Sequence, residues 1–83
     1  MLEPKFKEND YIINRKSKDM AIVKGLSKKG YYQFKVFYGG MFKQLKNLET
    51  ENYELQINYQ KFFDHCTDDE KKMLDKIIAE QNK

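Results

Sequence analysis

His65 and Cys66 are neighbours in the sequence, and a histidine beside a cysteine is the pair of residue types that generates a thiolate nucleophile. That chemistry requires the two side chains to face each other. Read as part of a helix over residues 59–66, neighbours one position apart point about 100° away from each other, so Cys66 is expected to be a small buried apolar residue ahead of a helix start. One cysteine and one histidine also fall short of the three or four ligands a zinc site needs, and no metal is expected. Asp68, Asp69 and Glu70 lack the alternating spacing of a calcium loop. With Thr67 before them they read instead as a helix start: Thr67 as N-cap and Glu70 three residues later form a capping box, and acids in a first turn suit the helix dipole. Gly39-Gly40 lacks the lysine and hydroxyl residue that end a phosphate-cradling loop, and is expected only to turn the chain. The residues thus predict no catalytic group and no cofactor.

One constellation carries a binding expectation. Arg15, Lys16 and Lys18 flank the first turn, Lys28 and Lys29 the second, and Tyr31, Lys35 and Tyr38 lie on or beside the third strand. Cations and aromatic faces brought together in this way can hold phosphates and stack bases. The same lysines also serve as solubilising residues at turns and strand edges, and Tyr31 could lie beneath a C-terminal helix.

The elements that must position these residues follow from local pattern. Asp10-Tyr11-Ile12-Ile13-Asn14-Arg15 groups β-branched and aromatic residues ahead of the turn-like Lys16-Ser17-Lys18-Asp19, and reads as a strand. Met20-Ala21-Ile22-Val23-Lys24 is a second strand ending at Gly25. Ser27-Lys28-Lys29-Gly30 then supplies a glycine for the positive φ of a hairpin turn. The third strand is Tyr31-Tyr32-Gln33-Phe34-Lys35-Val36-Phe37. Period-two alternation puts Tyr32, Phe34 and Val36 on one face and Tyr31, Gln33, Lys35 and Phe37 on the other. The first strand splits likewise, Ile12 against Tyr11, Ile13 and Arg15, so the sheet is apolar on both faces and something must cover the outer one.

Residues 41–49 space Phe42, Leu45 and Leu48 by three, which suits a helical turn as well as a twisted strand, and a strand is the expectation adopted. Tyr53-Glu54-Leu55-Gln56-Ile57 reads as a short closing strand. From Tyr59 the pattern becomes helical, first over 59–66 and then from the capping box onward, where Met73, Leu74, Ile77 and Ile78 form one apolar stripe. That stripe, with Phe62 and Phe63, is the expected cover for the outer face.

Composition bounds the rest. Eighty-three residues make one domain, 1–83, with a sheet part over 10–57 and a helical part over 59–82. A core this small needs its six Tyr and six Phe, which bury large areas per residue. A single cysteine forbids an intrachain disulfide and points to a reducing, cytoplasmic setting. Met1 to Asn9 has no apolar run of the kind a signal sequence needs, and no stretch of 18 apolar residues occurs, so no membrane partner is expected. The net charge of +3 falls short of a dedicated nucleic-acid binder, although residues 1–49 carry the basic excess and residues 50–83 an acidic one.

Phe6-Lys7-Glu8-Asn9-Asp10-Tyr11-Ile12, then Ala21-Ile22-Val23-Lys24-Gly25, then Gly30-Tyr31-Tyr32-Gln33-Phe34 resemble the first three strands of SH3-like barrels, and Tyr53-Glu54-Leu55 resembles their closing strand. Asn9 stands where such domains usually carry glycine, and asparagine tolerates the left-handed conformation that turn needs. The Lys-, Asn- and Tyr-rich style is similar to small proteins of low-GC bacteria and their phages. The resemblance, with the helical pattern after Tyr59, implies an α+β domain: a small SH3-like, mostly antiparallel barrel or curled sheet of about five strands, followed by two C-terminal helices. The function expected of it is that of a non-catalytic protein-binding module, an accessory protein or inhibitor encoded by a phage or mobile element. The alternative is a nucleic-acid-binding barrel using the basic turns with Tyr31 and Tyr38. The chain is expected to act as a monomer or homodimer.

Overall fold

The computed structural model describes residues 2–49 and 53–81. Tyr11–Ile13 forms β1, Met20–Leu26 β2 and Tyr32–Gly39 β3, three antiparallel strands joined by the two turns the sequence marks. Gln44–Asn47 forms β4 on the far edge of β3. Glu54–Leu55, β5, pairs with the start of β3 on that same edge. Residues Ile57–Phe62 then make a 3-10 turn, and Asp64–His65 returns as β6 to pair with β1. The strand order β4-β3-β2-β1-β6 leaves the six-stranded sheet open, and a single α-helix, α1 (Asp68–Gln81), follows it.

Two of the expected elements differ from this. The predicted helix over 59–66 is a 3-10 turn followed by a strand, so the chain ends in one α-helix where two were expected. Aromatic, β-branched and Asn residues gain little from a helix there. The Gln60 side chain instead bonds the N-terminal lead, its Nε2 donating to the Glu3 carbonyl at 2.9 Å. The closing strand keeps only Glu54 and Leu55, because Ile57 opens the 3-10 turn.

Both faces of the sheet carry a core. On one, Phe6, Ile12, Val23, Tyr32, Phe34 and Leu48 are buried together, closed by Ile57 and Phe63 from either end of the 3-10 turn. Tyr32 is completely buried, and its hydroxyl accepts the backbone N–H groups of Lys5 at 2.7 Å and Phe6 at 3.2 Å while donating to Gln60. That hydroxyl therefore straps the N-terminal lead over the core without leaving a buried polar atom unpaired. Asn9 takes a φ of 71°, the left-handed turn expected of it, and Gly30 does the same at 81°.

On the opposite face Ile13, Met20, Ile22 and Cys66 pack under Leu74 of α1. The helix is thus the cover expected for the outer face, but Phe62 is exposed and Phe63 belongs to the first core. The alternation assigned to the third strand also fails halfway. Val36 lies with the second core and Phe37 with the first, because Lys35 is an extra residue of β3 between the register pairs Val23–Phe34 and Ile22–Val36; Lys24 is a second such extra residue, in β2. Each such bulge shifts the parity of the side chains that follow it.

The helix is held at a second point by Tyr11, whose hydroxyl donates to Asp75 Oδ1 at 2.5 Å. The carboxylate that accepts this bond, with partial burial, pushes the Tyr11 phenol from 10.0 up to about 12. A folded-state value above the unfolded one stabilises the fold fully below pH ~10, and this contribution is lost as pH rises through ~12. Tyr11→Phe is therefore expected to flatten the alkaline limb of the stability curve, by on the order of 1 kcal/mol after discounting for solvent screening. Chemical denaturation of both proteins between pH 9 and 12, roughly the titration range of tyrosine, checks this, and parallel curves would remove the assigned role.

Candidate functional site

The eight basic and aromatic residues singled out in the sequence fall at two ends of the sheet. Met20 pairs with Tyr38 and Gly39 with Gln44, so the β1–β2 and β3–β4 turns lie at one end. Leu26 pairs with Tyr32, which puts the β2–β3 turn at the other. The seven residues of β2 separate them by about 20 Å at the usual rise per residue. Lys28, Lys29 and Tyr31 are therefore grouped away from Arg15, Lys16, Lys18 and Tyr38, with Lys35 between them on β3 and donating to Asn9 Oδ1. Tyr38 is half-buried against the second core, and Tyr31 is half-buried beside its turn.

Arg15 is engaged within the domain. Its guanidinium grips the Glu70 carboxylate at 2.8 and 3.3 Å and approaches Asp64 at 3.5 Å. The bond to Arg15, followed by the backbone bond from Thr67, holds the Glu70 carboxyl below the usual carboxylate range, and Glu70 in turn raises the Arg15 guanidinium further. The capping box read from the sequence is present: the Thr67 N–H donates to Glu70 at 2.8 Å and the Glu70 N–H to Thr67 Oγ1 at 3.2 Å. One carboxylate thus caps α1 and ties its start to the β1–β2 turn.

The residues that sequence reasoning missed sit beside that turn. Met41 and Phe42, at the tip between β3 and β4, are 69% and 74% exposed. Turns favour polar residues, and two large apolar side chains side by side at a hairpin tip are not what turn chemistry alone selects. The tip is braced. A Cβ added to Gly40 would lie 2.1 Å from the carbonyl oxygen of Lys18, so the two turns touch backbone to backbone at a place only glycine allows. Lys18 and Lys43, one on each turn, both hold positive φ, 64° and 51°. Lys16, Lys18 and Lys43 are exposed and make no ion pair among the described residues. The available signal was Gly39-Gly40-Met41-Phe42 itself, an apolar pair placed directly after two turn glycines; spacing by three drew Phe42 into a core pattern instead.

His65 and Cys66 do not meet, though the reason is strand alternation and not helix geometry. The His65 ring packs edge-on against Phe6, 4.9 Å between centroids, on the first core's side. Cys66 is buried in the second core, and burial, its largest influence, pushes the thiol up to about 11. Few thiolates form at neutral pH under such conditions. No group of three metal-binding side chains occurs among the described residues, and no helix among them is long and apolar enough to cross a membrane. A shallow groove of about 610 Å³ lies near the β2–β3 turn, between Pro4 and Phe6 of the N-terminal lead and Gly25 and Leu26 of β2. Set against known proteins, the chain matches no family model, no curated protein and no solved structure.

Proposed function

We propose that this chain is a small protein-binding module without catalytic activity, docking through the Met41–Phe42 tip. The exposure of that apolar pair on a braced turn is the observation that carries the reading. Interfaces draw most of their energy from a few large apolar or aromatic anchors, and an anchor already held in place loses little entropy on binding. An SH3-like relationship is part of the proposal, supported by the 3-10 turn that leads β6 back onto β1. A cytoplasmic setting and an accessory or inhibitory role belong to the same reading.

The alternative, a nucleic-acid-binding barrel, draws support from three exposed lysines, in no ion pair among the described residues, on the turns beside an exposed phenylalanine, a combination that can stack a base and neutralise phosphates. Against it stands the division of the basic residues between two ends of the sheet, with Arg15 already neutralised by Glu70 and Asp64. Capture from lysate of the source organism by tagged wild type, Phe42→Ala and a Lys16→Glu/Lys43→Glu double variant, with and without nuclease, separates the two. A protein that survives nuclease and is lost only with Phe42→Ala is the expected result. Retention of nucleic acid by the wild type, abolished by the double variant, would replace the first reading with the second.

A further inference from the structure

We infer that the partner presents an apolar pocket rimmed by carboxylates, into which Phe42 and Met41 insert while Lys16, Lys18 and Lys43 face the rim. The inference rests on the protein-binding reading above and adds the chemistry of the surface it meets.

Charge distribution around the tip carries it. Of the acids near this end of the sheet, Asp68 and Asp69 are exposed on the first turn of α1, over the second core, and the others are engaged within the domain. Asp19 is half-buried and accepts the Ser17 hydroxyl at 2.9 Å. Glu70 and Asp64 hold Arg15, and Asp75 holds Tyr11. What remains exposed on the two turns beside Met41 and Phe42 is cationic, Lys16 and Lys18 on one and Lys43 on the other, and the contact of Gly40 with the Lys18 carbonyl holds the two turns together. Exposed lysines that make no ion pair among the described residues share these turns with an apolar anchor, the arrangement of a hot spot with a charged rim. A complementary partner must be acidic, since like charges across an interface oppose docking at every approach.

The kind of macromolecule follows from the size of the anchor. Two apolar side chains on one turn are a small insertion for a lipid surface, where stable attachment needs a second signal. A lone phenylalanine offers one stacking face, and the tyrosines that would extend a platform do not, since Tyr38 is half-buried against the second core and Tyr31 lies at the other end of the sheet. Methionine beside phenylalanine is suited to an irregular protein pocket, its flexible thioether adapting to the walls.

The backbone supplies a clean way to test the rim. Lys18 and Lys43 hold the left-handed conformation, which glycine adopts without strain, so Lys18→Gly/Lys43→Gly removes two charges while leaving both turns intact. Phe42 is replaced by photoreactive p-benzoylphenylalanine in cells of the source organism, and whatever touches the tip is cross-linked by light and located by mass spectrometry. The expected result is a protein cross-linked within a segment where Asp and Glu outnumber Lys and Arg. Its yield should fall about tenfold when the glycine pair is added to the photoreactive protein, at an unchanged melting temperature. A cross-link to a neutral or basic protein segment, indifferent to the glycine pair, overturns the acidic rim and leaves the protein-binding reading in place. Cross-links only to lipid or nucleic acid, or none at all, overturn both.

Discussion

Leu74→Ala is expected to lower the melting temperature of the domain by roughly 15 °C. Leu74 is 0% exposed and the only fully buried residue of α1, and it closes the core formed by Ile13, Met20, Ile22 and Cys66. Truncating a fully buried leucine costs ~3 kcal/mol, the lost transfer energy plus the cavity left behind. Each kcal/mol moves the midpoint of a domain this size by about 4–8 °C. The helix's other ties are weaker, Ile78 packing partly buried against the same core and exposed polar contacts at Arg15 and Tyr11. Ile77→Ala is the matched control. Ile77 shares the sequence stripe but is only half-buried and lies outside the second core, whereas Ile78 packs against it, so the expected loss at Ile77 is about 1 kcal/mol or less. Thermal melts of the two variants decide the matter: equal losses would mean that α1 is turned by about 60° on the sheet, the angle that three residues leave short of a full turn.

That comparison also marks what the sequence reveals and what it hides. The apolar stripe on the last helix is readable because a 3.6-residue period and a capping box act locally, and Thr67 with Glu70 bonds as the pattern requires. Which member of the stripe faces the core depends on how the helix lies on the sheet, and no local rule supplies that. Strands β1 to β3 are likewise legible from β-branched and aromatic runs between turns. The side on which Val36 and Phe37 lie is not, because the bulge at Lys35 sits in an uninterrupted run of strand residues with no glycine to mark it. Residues 59–66 misled for a related reason. Their apolar residues suit a helical face, but Gln60 is bonded to the N-terminal lead and Phe63 is drawn into the first core, contacts distant in sequence that local propensity does not encode. Lys16 and Lys18 of the candidate site are legible as turn lysines, Lys43 is not, and the grouping of the basic residues requires the register of β2 on β3. That register sends Lys28 and Lys29 to one end and brings Lys18 against Gly40 at the other.

Gly40→Ala tests that last contact directly. The φ of Gly40 lies outside the left-handed region, so alanine meets no torsional penalty there and the obstacle is space alone. The new methyl would sit 2.1 Å from the Lys18 carbonyl oxygen and 2.7 Å from its carbon, backbone atoms that no side-chain rotation can clear. One of the two turns must move. The expected cost is about 2 kcal/mol, the usual scale of overpacking, or a fall of ~10 °C in melting temperature. Gly39→Ala provides the contrast, because a methyl there meets Phe37 at 3.5 Å, an ordinary contact, and should leave stability within about 1 kcal/mol of wild type. Amide chemical shifts should change most in residues 14–19 and 39–43 for Gly40→Ala, and the same variant should weaken capture through Phe42 by separating the apolar pair from Lys16 and Lys18. Identical melts for the two alanine variants would show that the turns do not abut. The tip would then be an unbraced hairpin whose lysines and apolar pair are not held in one arrangement, and both the rigid anchor and the cationic rim around it would lose their structural basis.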